Sequence, residues 1–196
     1  MNRTDIINFF IKKYDHKSYL EIGVSDPDVN FAKIIVDKKI SVDPNVNEAN
    51  FVMTSDDFFK ENNEKFDVIF IDGLHESEQV YRDIHNSINS LNDGGSIILH
   101  DCNPHSEIIQ LVPQIQGGEW TGDCWKAFVK FRQENTEYFT FVIDTDYGVG
   151  VIKKSNKDIS PLVIDKDINY ENFDSNRIDW LNLISCDNLE NTLNNI

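Results

Sequence analysis

The sequence predicts an α/β protein with a mostly parallel sheet, helices on both faces and one antiparallel strand at its end. Short β-branched and aromatic runs, which are typical of buried strands, alternate with segments of helical periodicity. Strands that alternate with helices usually form a parallel sheet. Residues 139–154, "FTFVIDTDYGVGVIKK", instead indicate two strands around a turn, which supplies the antiparallel strand. A length of 196 residues suits a single domain.

In the first half of the chain, the helix starts are predicted from capping residues. Thr4 or Asp5 suits the N-cap of one helix, and Ser55 or Asp56 suits the N-cap of another. Pro27 suits the first turn of a helix between them, because its fixed φ is compatible with that position. The predicted helices cover 4–13, 27–37 and 55–62, and the predicted strands cover 18–23, 39–43 and 50–54.

The second half continues the alternation. The run "FDVIFID" (66–72) is a predicted strand, and apolar residues at helical spacing predict a helix over 76–91 that "NDGG" ends. A strand over 96–101 and an irregular stretch over 102–125 follow. The remaining predicted elements are a helix at 125–135, the strand pair at 139–154 and a helix around 175–185. Residues 1–154 are expected to form the domain, with 155–196 as a polar C-terminal extension packed on it.

Composition narrows the class of partner. The net charge of −16 repels phosphate backbones and anionic lipids, so we expect neither nucleic acid nor membrane as a partner. The N-terminal residues carry charges throughout, which predicts neither a signal peptide nor a spanning helix. Cys102, Cys124 and Cys186 are widely spaced, which favours reduced thiols and a cytoplasmic location. A small-molecule substrate is expected, and a homo-oligomeric state stays open.

Polar residues stand where successive predicted strands end. Because ligands of open parallel sheets bind at the carboxyl ends of strands, this edge is the predicted site. A surface turn would explain any one of these residues, but a turn does not explain a series along the chain. The residues are Glu21, Asp43, Ser55, Asp56, Asp72, His100 and Asp101.

Gly23 and Asp43 have the spacing of a nucleoside site. An acid about 20 residues after a glycine-bearing first turn can bind ribose hydroxyls. The full dinucleotide glycine motif is absent, and Asp26 and Asp28 would repel a pyrophosphate. A cofactor without phosphate that carries a positive sulfonium fits better, and S-adenosylmethionine (SAM) has both properties. The alternative is an ordinary turn with Asp43 at the surface.

Asp72 and Asp101 end consecutive predicted strands that a right-handed crossover would place side by side. Two carboxylates there predict a site for a divalent cation such as Mg²⁺, whereas a contribution from His100 would favour a transition metal. His100 could instead face a helix. His75 could act as a general base or cap the helix that follows it. In "GGEWTGDCWKAF", the tryptophans could wall a pocket or fix a loop on the core.

An ordered series of segments resembles a bacterial family of class I SAM-dependent methyltransferases over roughly residues 18–153. The series consists of "YLEIGVSDPDVNFAKI", "ISVDPN", "MTSDDFF", "FDVIFIDGLHESEQVYRDI", "GGSIILHDCNP", "GDCWKAF" and "DTDYGVGVI". The resemblance implies a Rossmann-like sheet of seven strands with an antiparallel last strand. It also implies methyl transfer to a hydroxyl of a small molecule, such as a sugar or glycan precursor.

The resemblance assigns roles to individual residues. Cofactor binding falls on Glu21, Gly23, Asp43, Ser55, Asp56 and Asp72. More distantly, the "IDGLH" and "LHDCN" segments are similar to the metal-binding segments of catechol-type and macrolide-sugar O-methyltransferases. This similarity makes Asp72 and Asp101 metal ligands and His75, beside Asp72, the catalytic base. Cys102 departs from the catechol-type pattern, which has an amide ligand at that position.

Two other functions remain open at this point. A metal-dependent hydrolase could use Asp72, His75, His100 and Asp101 on a similar sheet, although Asp43 would then have no role. A non-catalytic module that binds SAM or a nucleoside would use only the Gly23 and Asp43 end of the site.

Overall fold

Seven strands form one sheet in the computed structural model, which describes all 196 residues. The sheet has the order β2-β1-β3-β4-β6-β5-β7. Only β6 runs antiparallel to its neighbours, β4 and β5, and every other pairing is parallel. The strands are β1 (Ser18–Ile22), β2 (Lys38–Val42), β3 (Phe66–Ile71), β4 (Leu91–Leu99), β5 (Tyr138–Ile143), β6 (Val149–Lys154) and β7 (Leu183–Ile184).

Six α-helices accompany the sheet. Helix α1 begins one or two residues before the predicted caps, because Asn2 is its N-cap and forms a reciprocal capping box with Asp5. Similarly, Thr54 caps α2 in place of the predicted Ser55 or Asp56. The helices are α1 (Arg3–Tyr14), α2 (Ser55–Glu61), α3 (Ser77–Asn89), α4 (Cys124–Glu134), α5 (Tyr170–Leu181) and α6 (Leu189–Leu193). None of them combines the length and the apolar character that a membrane crossing requires.

Two predicted elements are wrong. The helix expected over 27–37 is a single turn at Phe31–Lys33, and the backbone before it is held in turns such as the Asp26 side chain accepting the Asp28 N–H at 3.0 Å. The strand expected over 50–54 is one isolated parallel bridge, between Phe51 and Val42. The Asn50 side chain accepts the Ser41 N–H at 3.0 Å, which takes a backbone donor that a longer ladder would use.

The seventh strand of the sheet is therefore not the one predicted at 50–54. Strand β7 lies in the C-terminal segment and pairs in parallel with β5. Helix α5 also packs on the sheet, and Phe173, Trp180 and Leu181 are buried in the main core. The segment after residue 154 thus contributes to the same sheet and the same core. Strand β4 is also longer than expected, because it begins at Leu91 and includes "GG".

The sheet separates two apolar layers. One layer includes residues of α3, α4 and α5, with Trp125 stacked on Phe173 at a ring separation of 4.2 Å. The other includes residues of α1 and α6. Consecutive residues of the central strands alternate between the layers, as Val68 and Ile69 do. The strands are covered on both faces, so their carboxyl edge is where functional side chains can reach solvent.

Candidate functional site

One cavity of about 670 Å³ lies at the carboxyl edge of the sheet. Loops after β1, β2, β3 and β4 contribute to its walls, together with the start of α1, residues 119–121 and the turn between β5 and β6. The cavity brings together seven of the predicted site residues. These are Gly23, Asp43, Ser55, Asp72, His75, His100 and Asp101.

Asp43 is held in place by the backbone around it. Its Oδ2 accepts the N–H of Val24 at 3.0 Å, and its Oδ1 accepts the N–H of Asn45 at 2.8 Å. The residue is 9% exposed and lines the cavity, so the surface turn considered as the alternative does not describe it. A carboxylate oxygen has more than one acceptor position, so these bonds leave capacity for a ligand's hydroxyls.

Gly23 allows two loops to approach each other closely. Its φ of +84° is one that side chains rarely permit, and a Cβ atom there would lie 2.1 Å from the carbonyl oxygen of Asp72. The loop after β1 is therefore packed directly against the loop after β3. This contact joins the Asp43 end of the cavity to the Asp72 end.

Two predicted cofactor-binding residues do not line the cavity. Glu21 is 1% exposed and accepts hydrogen bonds from the Tyr19 hydroxyl at 2.5 Å and from Asn30 Nδ2 at 2.9 Å. Burial raises its pKa to about 7. Asp56 faces Arg82 at 3.5 Å instead of the cavity. Glu21 can influence a ligand only through its neighbours.

Asp72, His75 and Asp101 come together on the wall of the cavity. His75 Nε2 lies 3.4 Å from Asp72 Oδ1, and His75 Nδ1 lies 3.3 Å from Asp101 Oδ2. One donor atom from each of the three lies within 4.8 Å of the others, which is the spacing of a metal-binding group. Asp101 has a φ of +60°, a strained conformation that is commonest at functional sites.

His75 is a site residue and does not cap α3. The Ser77 N–H at the start of α3 bonds to Asp123 Oδ1 at 2.7 Å, so Asp123 satisfies that helix end. The His75 ring stacks on Trp120 at 5.2 Å, and its Nδ1 lies 3.1 Å from the Trp120 carbonyl oxygen. Trp120 therefore forms a wall of the cavity and fixes the imidazole. This position agrees with the prediction that a tryptophan of "GGEWTGDCWKAF" walls a pocket.

His100 lines the cavity on one side and contacts Arg3, the first residue of α1, on the other. Its Nδ1 is 3.2 Å from both Asp72 Oδ1 and Asp101 Oδ1. On its other side, His100 Nε2 lies 2.8 Å from Arg3 Nη1, and Arg3 also pairs with Asp146 at 3.1 Å. Arg3 lines the cavity and Asp146 contacts His100, and neither was predicted, because Arg3 belongs to a helix and Asp146 to the turn between the paired strands β5 and β6.

The charges of this cluster act on one another. Burial alone would raise the pKa of Asp72, but the charges and hydrogen bonds of His100 and His75 hold it well below its usual range. Burial lowers the pKa of His75, but its hydrogen bond to Asp72 and the charge of Asp101 outweigh burial and raise it. Burial also lowers the pKa of His100, but the charge of Asp72 and the hydrogen bonds to Asp101 and Asp146 outweigh burial and raise it well above its ordinary value.

Cys102 takes no part in the cavity. It is fully buried, and a Cβ atom at Gly150 would lie 2.9 Å from its Sγ. Burial raises the pKa of its thiol well above the ordinary value. The donor set at the cavity is therefore two carboxylates and an imidazole, without a ligand from position 102. The thiols of Cys124 and Cys186 do not line the cavity.

Comparisons of the sequence and of the fold both show similarity to methyltransferases. Residues 26–102 match the model of a family described as a methyltransferase domain. A search of curated protein sequences gives no match to the chain. Many solved structures share this fold, and those compared below are 10–14% identical to this chain in sequence. The Rossmann-like fold predicted from the sequence is therefore confirmed.

Three of these structures illustrate the likeness. An O-methyltransferase from Bacillus cereus, in complex with S-adenosylhomocysteine (SAH), is 14% identical with a TM-score of 0.54 over 78% of this chain and 80% of that one. The O-methyltransferase TomG from Streptomyces achromogenes, in complex with SAM, is 10% identical with a TM-score of 0.55 over 79% and 80%. MycE of the mycinamycin pathway, in complex with Mg, SAH and mycinamycin VI, is 13% identical with a TM-score of 0.50 over 74% and 47%.

Proposed function

We propose that the chain is a SAM-dependent O-methyltransferase that acts on a hydroxyl of a small molecule. The observation that carries this proposal is that one cavity contains both Gly23 with Asp43 and the cluster of Asp72, His75 and Asp101. A hydrolase would use the cluster and leave Asp43 without a role. A binding module would use Asp43 and leave the converging acids and histidines without a role.

The walls near Asp43 fit SAM. Asp43 would accept hydrogen bonds from the ribose hydroxyls, and Gly23 keeps the loop after β1 close to the bound molecule. Ser55 lines the cavity and matches the adenine-side turn of the methyltransferase family that the sequence resembles. Asp43, Asp72 and Asp101 make the cavity acidic, which favours a cofactor with a positive sulfonium over one with a pyrophosphate. The structures in complex with SAM and SAH that share this fold support the same choice.

Asp72 and Asp101 fit a divalent cation such as Mg²⁺. Carboxylate oxygens are the ligands that Mg²⁺ prefers, and one carboxylate oxygen of each residue lies within 4.8 Å of the other. The presence of Mg in MycE supports this choice. A bound cation would supply Lewis-acid polarisation of the acceptor hydroxyl.

His75 is proposed as the general base. An alcohol hydroxyl is too weakly acidic to ionise unaided near neutral pH, so its proton needs an acceptor as the oxygen forms its new bond. The stacking on Trp120 and the contact with Asp72 hold the imidazole in one orientation for this task. SAM supplies the methyl group and leaves as neutral SAH, so no residue has to protonate a leaving group.

The walls beyond His75 favour a polyhydroxylated acceptor such as a sugar or glycan precursor. Trp120 and Tyr147 supply flat apolar surfaces, and Glu119, which accepts the Tyr147 hydroxyl bond at 2.5 Å, supplies carboxylate oxygens for hydroxyl groups. The net charge of −16 argues against nucleic acid as the acceptor.

The test is methyl transfer from radiolabelled SAM to a panel of sugars, nucleotide sugars and catechols, with Mg²⁺ and with excess EDTA. We expect label in a hydroxylated product and a loss of transfer in EDTA. Transfer that is unchanged in EDTA would contradict the metal assignment. Binding of SAM without transfer to any hydroxyl compound, but with transfer to an amine or thiol, would contradict O-methylation.

A further inference from the structure

Asp83 is a buried carboxyl group that the proposed reaction does not use. It lies on α3 and is 1% exposed. Its Oδ1 accepts a hydrogen bond from Gln79 Nε2 at 3.1 Å, and Ser55 at the start of α2 also bonds to it. Arg82, its neighbour in sequence, pairs with Asp56 instead. The carboxylate is therefore stabilised by hydrogen bonds and not by an ion pair of its own.

The two residues that bond to Asp83 both line the cavity, although Asp83 does not. Gln79 Nε2 also lies 3.2 Å from Ser55 Oγ and 3.4 Å from Asp56 Oδ1. The two N–H groups of the amide thus have three protein acceptors within reach and need none from a ligand. The amide oxygen, which accepts a bond from Arg82 and has a second lone pair, is the end left for a ligand.

We propose that Asp83 is a positioning residue for an aminopurine ring, and that it acts through Gln79 and Ser55. This inference rests on the proposed function, because it assigns a task to the adenine side of the same cavity. The ionised carboxylate accepts from both residues, which keeps the Gln79 amide nitrogen inward and its oxygen available to the exocyclic amine of adenine. A protonated Asp83 would donate to one of them, which disturbs this arrangement.

The surroundings of Asp83 bring its protonation close to neutral pH. Burial raises its pKa to about 6, against the lowering effect of the bonds from Ser55 and Gln79. Asp56 on α2 raises the pKa further, and Arg82 on α3 lowers it. Because the raised value lies above that of an ordinary Asp, the carboxyl gains its proton as the pH falls through about 6. We therefore expect SAH to bind less tightly on the acid side.

The experiment is a series of calorimetric titrations with SAH between about pH 5 and pH 7.5 on the full chain and two variants. Asp83→Asn removes the titrating group, and Glu78→Gln removes an exposed acid of the same helix as the matched control. We expect the SAH affinity of the wild type and of Glu78→Gln to fall over this range by about fivefold more than that of Asp83→Asn, the scale of one hydrogen bond. Other titrating groups are common to all three proteins, so the difference reports on Asp83.

A second probe tests the aminopurine itself. S-inosylhomocysteine has a carbonyl group where SAH has the amine, so the wild type should prefer SAH at about pH 7.5. Gln79→Ala keeps Asp83 and removes the amide, and it should lose this preference even if Asp83→Asn fails to fold. Equal binding of the two ligands to the wild type, or superimposable pH profiles of wild type and Asp83→Asn, would overturn the inference. Failure of the wild type to bind SAH at any pH would instead overturn the proposed function.

Discussion

Asp43 illustrates how the backbone orients a residue that we propose to bind the cofactor. Its two oxygens accept backbone N–H groups from the loop after β1 and from the turn after β2, so the carboxylate is oriented before a ligand arrives. Such preorganisation reduces the entropy cost of forming further hydrogen bonds.

The Asp43→Asn variant should bind SAH more weakly by about 1.5–3 kcal/mol, the scale of hydrogen bonds to a charged group. The amide retains a similar shape but loses the charge and one acceptor oxygen. Calorimetry at neutral pH measures the change, with Asp28→Asn in the exposed part of the loop after β1 as the control. An affinity equal to that of the wild type would remove Asp43 from the site.

The His75→Ala variant should bind SAH and Mn²⁺ normally while turnover falls by roughly 10²–10⁴-fold, the range for loss of a general base. His85→Ala, at an exposed position of α3, is the control. Turnover with an acceptor is compared with metal binding measured by electron paramagnetic resonance. Loss of Mn²⁺ binding would make His75 a ligand instead of a base, and undiminished turnover would exclude both roles.

The residues at strand ends that line the cavity were predictable from the sequence. The residues from other parts of the chain that contact them were not. Asp43, Asp72 and Asp101 follow parallel strands, and the topology alone brings them to one edge. Arg3 reaches the same place from the first turn of α1, and its contacts with His100 and Asp146 depend on how that helix packs. Nothing in the local pattern around Arg3 distinguishes it from a solvated charge.

At the scale of elements, the site depends on loops that touch through glycine. A Cβ atom at Gly23 would lie 2.1 Å from the Asp72 carbonyl oxygen, and one at Gly122 would lie 1.8 Å from that of His75. These two contacts join the loops after β1 and β3 and the segment before α4. The position of His75 is therefore fixed by backbone packing on two sides.

The Gly23→Ala variant should lose more than about 2 kcal/mol of folding free energy, because it combines a strained φ with a backbone clash. Chemical denaturation measures the loss. Gly117→Ala is the control, since a Cβ atom there would meet nothing within 4 Å. If Gly23→Ala is as stable as Gly117→Ala, the close contact between the loops does not exist in solution.

Element types were predictable where periodicity was strong and failed where side chains compete with the backbone. Helix α3 and strand β3 have clear apolar patterns and were placed within two residues. At the stretches 27–37 and 50–54, Asp and Asn side chains bond to nearby backbone groups and favour turns: Asp26 accepts the Asp28 N–H, and Asn50 accepts the Ser41 N–H. Strand β7 has only two residues and gives no periodic signal.

At the scale of the whole molecule, buried acids make stability depend on pH. Burial raises the pKa of Glu21 to about 7 in the folded state. Because that value is higher than the unfolded one, Glu21 favours folding at acid pH, and this contribution is lost as the pH rises from about 4.5 to 7. Asp72 has the opposite effect, since its lowered pKa stabilises the fold except in strong acid.

The Glu21→Gln variant isolates the Glu21 contribution. Its free energy of unfolding, relative to the wild type, should increase by about 3 kcal/mol between acid and mildly alkaline pH, because each unit of pKa shift corresponds to about 1.4 kcal/mol. Denaturation curves at several pH values measure this difference, with Glu48→Gln at an exposed position as the control. A difference that does not change with pH would show that the pKa of Glu21 is the same in the folded and unfolded states.

We propose that the cavity at the carboxyl edge of the sheet binds SAM. A calorimetric titration of the wild-type chain with SAH at neutral pH tests this proposal. We expect saturable binding at one site per chain with a Kd below about 100 µM, which corresponds to more than about 5 kcal/mol of binding free energy. No detectable heat, together with no shift of the thermal unfolding midpoint in millimolar SAH, would contradict it.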